Sequence, residues 1–315
     1  MSSPSVIGID LGGTKVAAAA LRDGKLGESI QHPTELSSSD ALVDQLVAIV
    51  QEASGGEALD AIGIGVPSIV EFATGRVVAS VNIPLVDVPL RAVLGERLGG
   101  VKVFVDNDAT VAALAEAHDE NLALVSHNLV MLTLGTGVGG GIVLGGRIYR
   151  GATGGAGEVG HTLVAVDPTD REPPPKRFPQ PDSLEFHASG RALDRLAEGI
   201  GLAKGGDAVS AARDGDPRAQ AAVASWARMV GVGIANAINT FDPEEVVLGG
   251  GAAAAGDLLL EPAIEVAKAY TVPGLGGSTR IRLARFHATA GVLGAALLAV
   301  HELEAPSPAR SVAAG

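Results

Sequence analysis

The sequence predicts an α/β protein of two similar halves, with a cleft between its lobes. Twice the chain reads apolar strand, Gly/Thr-rich turn, apolar strand, about 125 residues apart, the mark of a duplicated unit. A third glycine turn, Gly249-Gly250-Gly251, ends another apolar run. At 315 residues and 47% hydrophobic content, the chain is long enough for two domains, each with a sizeable core.

Residues 6–10 and 16–21 read as strands joined by Leu11-Gly12-Gly13-Thr14-Lys15. Leu42, Leu46, Ile49 and Val50 share one face at helical spacing, which predicts a helix over 40–53. Strands at 61–66 and 101–105 follow, and the second runs into Asp106-Asn107-Asp108 and an alanine-rich helix at 109–117. The second half opens with a strand at 129–134. It turns through Gly135-Thr136-Gly137-Val138-Gly139-Gly140-Gly141 and continues in Ile142-Val143-Leu144. Six of the 17 prolines fall between 168 and 181, and that density of missing amide donors predicts an irregular surface loop over 167–182. Helices at 191–197 and 217–239 come next, then a strand at 245–248. Trp226 falls in the second helix and reads as core or interface. The apolar stretch from Ala288 predicts a buried helix that packs back on the first lobe.

Composition narrows the function. The 23 basic and 36 acidic side chains leave a net charge of −13, which opposes binding to the phosphates of nucleic acid. The chain has no cysteine, so disulfides, thiolate catalysis and cysteine-ligated metal sites are excluded. The N-terminus lacks a basic n-region, and Val6-Ile7-Gly8-Ile9 reads as a first strand rather than a signal peptide. The longest apolar stretch, 288–300, is shorter than the ~20 residues of a membrane span. A soluble, cytoplasmic protein with no membrane partner is expected.

Several segments can carry chemistry. Gly12-Gly13-Thr14-Lys15 reads either as an ordinary hairpin turn or as a phosphate nest of backbone amides, hydroxyl and ammonium. It lacks the order of a Walker A loop, and Gly135 to Gly141 lack the spacing of the dinucleotide fingerprint. Asp10, just before the first turn, reads as a turn cap or as a carboxylate serving Mg2+ through water. Asp108 reads by default as a helix N-cap. It also stands at a strand's C-terminal end, where α/β proteins place ligands and where a carboxylate could accept a hydroxyl proton. Glu158 and His161, three residues apart across Gly160, read as structural or as a polar pair aimed at a polyhydroxylated ligand.

Taken in order, these motifs resemble those of the ROK family of sugar kinases and repressors, its glucokinase branch most closely. The match runs through Asp10-Leu11-Gly12-Gly13-Thr14-Lys15, Gly63-Ile64-Gly65-Val66-Pro67, Asn107-Asp108-Ala109, Leu134 to Gly141, Glu158-Val159-Gly160-His161 and Leu248-Gly249-Gly250-Gly251. The resemblance implies an actin-like (ribonuclease H-like) two-lobed fold in which sugar and ATP meet in a central cleft. Residues 1–119 with 288–315 would form the small lobe and 120–287 the large one. Asp108 would be the general base toward the sugar 6-hydroxyl, with Asn107, Glu158, His161 and Glu185 on other hydroxyls. Gly12, Gly13, Thr14, Lys15, Thr136 and Gly137 would meet the donor phosphates. Gly249, Gly250 and Gly251 would lie near adenosine, and Asp10 would serve Mg2+. The implied chemistry is in-line phosphoryl transfer, glucose to glucose 6-phosphate, dominated by positioning and charge neutralisation. A homodimer or homotetramer is implied as well.

One departure is large. Most of the family carries a cysteine-rich zinc motif between the His and the last Glu. Here that interval holds Arg171 to Arg177, and Ser183 stands where the last cysteine would be. No structural zinc is therefore expected, and a carboxylate or backbone carbonyl is expected to orient His161 instead, with prolines stiffening the loop. A lesser departure is Ser68, where a glycine is usual. Mannose, fructose, N-acetylglucosamine or N-acetylmannosamine as the acceptor, and polyphosphate as the donor, stay open. So does a sugar sensor without turnover. A repressor is disfavoured by the −13 charge and by a first strand that begins at Val6.

Overall fold

The computed structural model describes residues 4–80, 82–165 and 178–305. It divides into two compact units: Met1–Val111 with Gly291–Gly315, and Ala112–Ala290. In the first, strands β1 (Val6–Leu11), β2 (Lys15–Arg22), β3 (Lys25–Leu26) and β4 (Ile30–Pro33) lead to helix α1 (Ser39–Ser54). Then come β5 (Ala61–Val66), a hairpin of β6 (Ser68–Glu71) and β7 (Arg76–Ser80), helix α2 (Leu90–Arg97), β8 (Lys102–Asn107) and α3 (Asp108–Glu116). The sheet order is β3-β2-β1-β5-β8, with β4 on β2. β1 and β2 pair antiparallel, whereas β1, β5 and β8 run parallel.

The second unit repeats this plan. It contains β9 (Leu129–Leu134), β10 (Val138–Leu144), β11 (Arg147–Ile148), α4 (Leu184–Ala188), α5 (Gly190–Gly199), α6 (Gly205–Arg213), α7 (Pro217–Phe241), β12 (Glu245–Gly249), α8 (Asp257–Tyr270) and β13 (Arg280–Leu283). The sheet order is β11-β10-β9-β12-β13, again an antiparallel hairpin followed by parallel strands. The duplication expected from the two glycine-turned hairpins is thus present in the strand pairing. Helix α9 (Ala290–Glu304) closes the described chain and belongs, from Gly291 on, to the first unit.

Strand alternation decides what each face of the first sheet carries. Ile7, Ile9, Ile62 and Ile64 bury against Leu42, Leu46, Ile49 and Val50 of α1. On the opposite face, Gly8 and Gly63 carry no side chain, and α9 lies directly on them. A Cβ at Gly63 would come within 1.8 Å of the Ala295 carbonyl oxygen, and one at Gly8 within 2.0 Å of that of Val292. In the second unit, Val130, Leu132, Val246 and Leu248 share a core with α7 and α8. Trp226 is fully buried there. Its Nε1–H donates to the carbonyls of Ala188 (2.9 Å) and Ser189 (3.1 Å), tying α7 to the α4–α5 junction.

Two expectations change. Gly139, Gly140 and Gly141 are strand residues, paired with Thr133, Leu132 and Met131, so the turn is confined to 135–137. Asp108 does not cap α3: the helix begins at Asp108, and Asn107 Oδ1 accepts the Thr110 N–H at 3.1 Å. Helix α7 is 25 residues long and runs two residues past the expected 239. By length and composition it could cross a membrane, but 61% of its most apolar window is buried in the protein, as in a core helix. Of the expected proline-rich loop, 166–177 lie outside the described residues.

Candidate active site

In the first unit, the parallel register sets Asp10 beside Gly65 and Gly65 beside Asp106. The C-terminal ends of β1, β5 and β8 thereby gather Asp10, Asn107 and Asp108 at one sheet edge. Gly65 is required there, because a Cβ would come within 2.7 Å of Val111 Cγ2 and 3.4 Å of the Asp108 Cα. Asp108 is half-buried, and its Oδ1 accepts the Ala109 N–H at 2.8 Å. Asn107 Nδ2 donates to the Ser68 carbonyl at 3.4 Å, so Ser68 supports the Asn107 side chain through its backbone. Asp10 is pushed up from the ordinary value of 3.8 by burial, with Lys15 pulling the other way.

The turn ahead of Lys15 is pinned from outside the hairpin. Gly12 N–H donates to the Lys15 carbonyl (2.9 Å), Thr34 Oγ1 donates to the Gly12 carbonyl (2.7 Å), and Thr34 N–H to that of Thr14 (3.1 Å). Thr14 and Lys15 remain exposed. Thr34 drew no attention in the sequence, since nothing local marks a residue 20 positions downstream as the turn's anchor.

In the second unit the backbone of Val138 is the organising point. Its N–H donates to Glu185 Oε2 at 2.9 Å, and a Cβ at Gly160 would come within 2.1 Å of its carbonyl oxygen. Gly140 and Gly157 touch in the same way, a Cβ at Gly140 falling 2.5 Å from the Gly157 oxygen. These glycines let the segment carrying Glu158 and His161 lie directly on β10. Glu158 Oε2 stands 3.7 Å from His161 Nε2, and both side chains are substantially exposed. Glu185 also lies close to Gly137, its Oε2 only 2.3 Å from where a Cβ there would be. The segments that carry Glu158, His161 and Glu185 thus meet at the Val138 backbone, and Glu185 is set against the turn that holds Thr136 and Gly137.

Beside that turn opens a cavity of about 670 Å3. Gly135, Thr136 and Gly251 line it together with Arg191, Asp194 and Arg213. Asp194 Oδ1 accepts the Gly205 N–H (2.7 Å), and Arg213 Nη2 donates to the Ala254 carbonyl (2.7 Å). These three charged residues were not singled out in the sequence, where no motif marks them. Of the glycine trio only Gly251 lines this cavity. Gly249 and Gly250 line a second one of about 470 Å3, with Met131, Leu283 and His287.

A family model described as the ROK family matches residues 6–302. The chain belongs to the ROK family. A glucokinase of Halalkalibacterium halodurans is 34% identical to this ROK protein over 317 residues, covering 93% of the chain and 94% of the relative. The crystal structure of a ROK hexokinase from Thermus thermophilus superimposes with a TM-score of 0.79 at 36% identity, covering 95% of this chain and 99% of that one. A ROK glucokinase from Streptomyces griseus, solved with glucose and AMPPNP, gives a TM-score of 0.74 at 31% identity over 94% of this chain and 99% of that one. Other relatives carry other names. An N-acetyl-D-glucosamine kinase of Shigella flexneri is 33% identical over 92% of this chain and 98% of its own length. A xylose repressor of Caldicellulosiruptor bescii is 31% identical over 77% and 63%. With these neighbours, the repeated sheet topology is that of the actin-like, ribonuclease H-like fold of ROK sugar kinases.

Proposed function

We propose that this ROK protein is an ATP-dependent hexose kinase acting on the 6-hydroxyl, with glucose its preferred acceptor. The observation that carries the reading is the division of labour at the end of β8. Asn107 caps α3, while the neighbouring Asp108 carboxylate stands half-buried at the sheet edge with the Ala109 N–H on its Oδ1, positioned to accept a hydroxyl proton. In the proposed reaction the sugar O6 attacks the γ-phosphorus in line. Its proton passes to the Asp108 carboxylate, and the bond from phosphorus to the bridging oxygen of ADP breaks. Asn107, Glu158, His161 and Glu185 fix the sugar through its other hydroxyls. The glucose-bound Streptomyces relative supports the choice of sugar.

The donor side follows from the 670 Å3 cavity. Leu193, Val209 and Ala252 give it an apolar wall next to Gly135 and Thr136, which suits a base and ribose joined to phosphates. Polyphosphate has no apolar portion to bury there. Gly12, Gly13, Thr14 and Lys15 would serve the terminal phosphates, as would Thr136 and Gly137. Gly251 would meet adenosine, with Gly249 and Gly250 shaping the turn behind it.

Asp10 fits a water-mediated Mg2+ contact, because its buried carboxylate resists ionising alone and gains from a cation. Among the described residues no group of three His, Asp or Glu could hold a metal ion by itself. Mg2+ bound at Asp10 would neutralise charge developing on the donor's phosphate oxygens.

The test is ADP release with Mg-ATP across glucose, mannose, fructose, N-acetylglucosamine and N-acetylmannosamine, repeated on Asp108→Asn. Glucose turnover is expected to be the fastest, and the variant to lose about 10²–10⁴-fold in kcat. Turnover confined to another sugar moves the acceptor and keeps the mechanism. Undiminished turnover in Asp108→Asn removes the general base.

A further inference from the structure

The family's structural zinc does not fit this chain. No cysteine is present, and among the described residues no group of three metal-ligating side chains assembles. Yet the segments carrying His161 and Glu185 are firmly joined. Leu184 N–H donates to the Thr162 carbonyl and Val164 N–H to that of Asp182, each at 2.8 Å. Leu163 and Ser183 form an antiparallel bridge between them. Ser183 is fully buried. Its Oγ donates to the Gln180 carbonyl (2.7 Å) and accepts the Phe186 N–H (3.3 Å), which caps the helix that bears Glu185.

His161 has its own neighbour in this arrangement. The Phe178 ring meets the imidazole edge to face, with centroids 5.4 Å apart and planes at 72°. Glu158, at 3.7 Å, is beyond hydrogen-bonding distance and does not fix the ring by itself. We infer that Phe178 is the positioning residue for His161, within a metal-free brace formed by the 162–164/182–184 ladder and the buried Ser183. The inference rests on the proposed sugar-binding role of His161. Phe178 is 66% exposed, so truncating it leaves no core cavity and little loss of fold.

The test compares His161→Ala, Phe178→Ala and Phe178→Tyr in the intact protein, measuring kcat and the KM for glucose and for ATP. His161→Ala is expected to raise the glucose KM about tenfold, as loss of one hydrogen bond to the sugar does. Phe178→Ala should raise it about two- to tenfold, the equivalent of one aromatic contact. In that variant kcat and the ATP KM should hold, and Phe178→Tyr should restore the wild-type value. A raised glucose KM in His161→Ala with none in Phe178→Ala overturns the inference and leaves the sugar-binding role of His161 standing. No change in either variant overturns both. A loss in Phe178→Ala that spreads to the ATP KM and the melting temperature marks a merely structural residue and overturns it too. The metal arm is dialysis against EDTA followed by return of Mg2+. The glucose KM should be unchanged, and a rise reversed by added zinc would defeat the metal-free brace.

Discussion

The carboxylate of Asp10 occupies space that only a glycine leaves open, since a Cβ at Gly291 would come within 2.4 Å of it. Burial raises its pKa above 3.8, and the Lys15 ammonium offsets this only in part. In the unfolded chain Asp10 releases its proton near the ordinary value, whereas in the folded protein it holds on longer. Folding stability therefore falls as pH rises from 3.8 through the folded pKa, then levels off. Asp10→Asn removes that cost. In Mg2+-free buffer its melting temperature should gain on wild type as pH goes from about 4 to about 8, while phosphoryl transfer is lost. A difference that stays flat with pH would show that burying the ionised carboxylate costs nothing. Asp10, Asn107 and Asp108 were all legible in the sequence, because each stands where an apolar run stops. Which of them caps α3 was not, since that depends on the residue at which the backbone turns helical.

At the scale of elements, glycines serve two purposes that look alike in a sequence. Gly135 and Gly137 make a turn, whereas Gly139, Gly140 and Gly141 lie in β10 so that another segment can approach its backbone. The run was legible as glycine-rich, but whether it turned or paired depended on Gly157 and Gly160, some 20 residues further on. Gly160→Ala tests the contact. The new methyl group would lie 2.1 Å from the Val138 oxygen, a backbone atom with no rotamer to move. The expected outcome is a loss of about 1–3 kcal/mol in stability, together with a raised glucose KM as Glu158 and His161 shift. Gly199→Ala, with open space around it, should cost nothing in urea denaturation and serves as the reference. Equal stability for the two variants would mean that the 158–161 segment is not held against β10. The strands β1, β5, β9 and β12 were legible from their apolar runs. The short edge strands β3, β11 and β13 were not, because two to four residues carry too little periodicity.

Across the whole molecule, the chain passes from one unit to the other twice: inside α3 between Val111 and Ala112, and again at Ala290–Gly291. One buried carboxylate anchors the chain beside both passages. Glu116, the last residue of α3, has no exposed surface. It accepts from Arg282 Nη1 (2.6 Å) and from the N–H groups of Arg285 and Phe286 (2.8 Å each), a few residues before the second passage. Arg282 also donates to the Glu116 carbonyl (2.9 Å) and through Nε to Glu245 Oε2 (2.6 Å), and Arg285 Nη1 reaches the His118 carbonyl (2.5 Å). Partners separated by 166 to 170 positions leave no trace in local patterning, so this network could not be read from the sequence. Without Glu116, Arg282 keeps Glu245 as its partner but the Arg285 and Phe286 amides lose their acceptor, and each buried group left unsatisfied costs about 1–3 kcal/mol. Glu116→Ala should therefore lose about 3–5 kcal/mol in urea denaturation, the sum of these unsatisfied donors, with faster hydrogen exchange at the Arg285 and Phe286 amides. If stability drops while those two amides stay protected, the cost belongs to the Arg282 charge alone, and the backbone before the second passage is held by something other than Glu116.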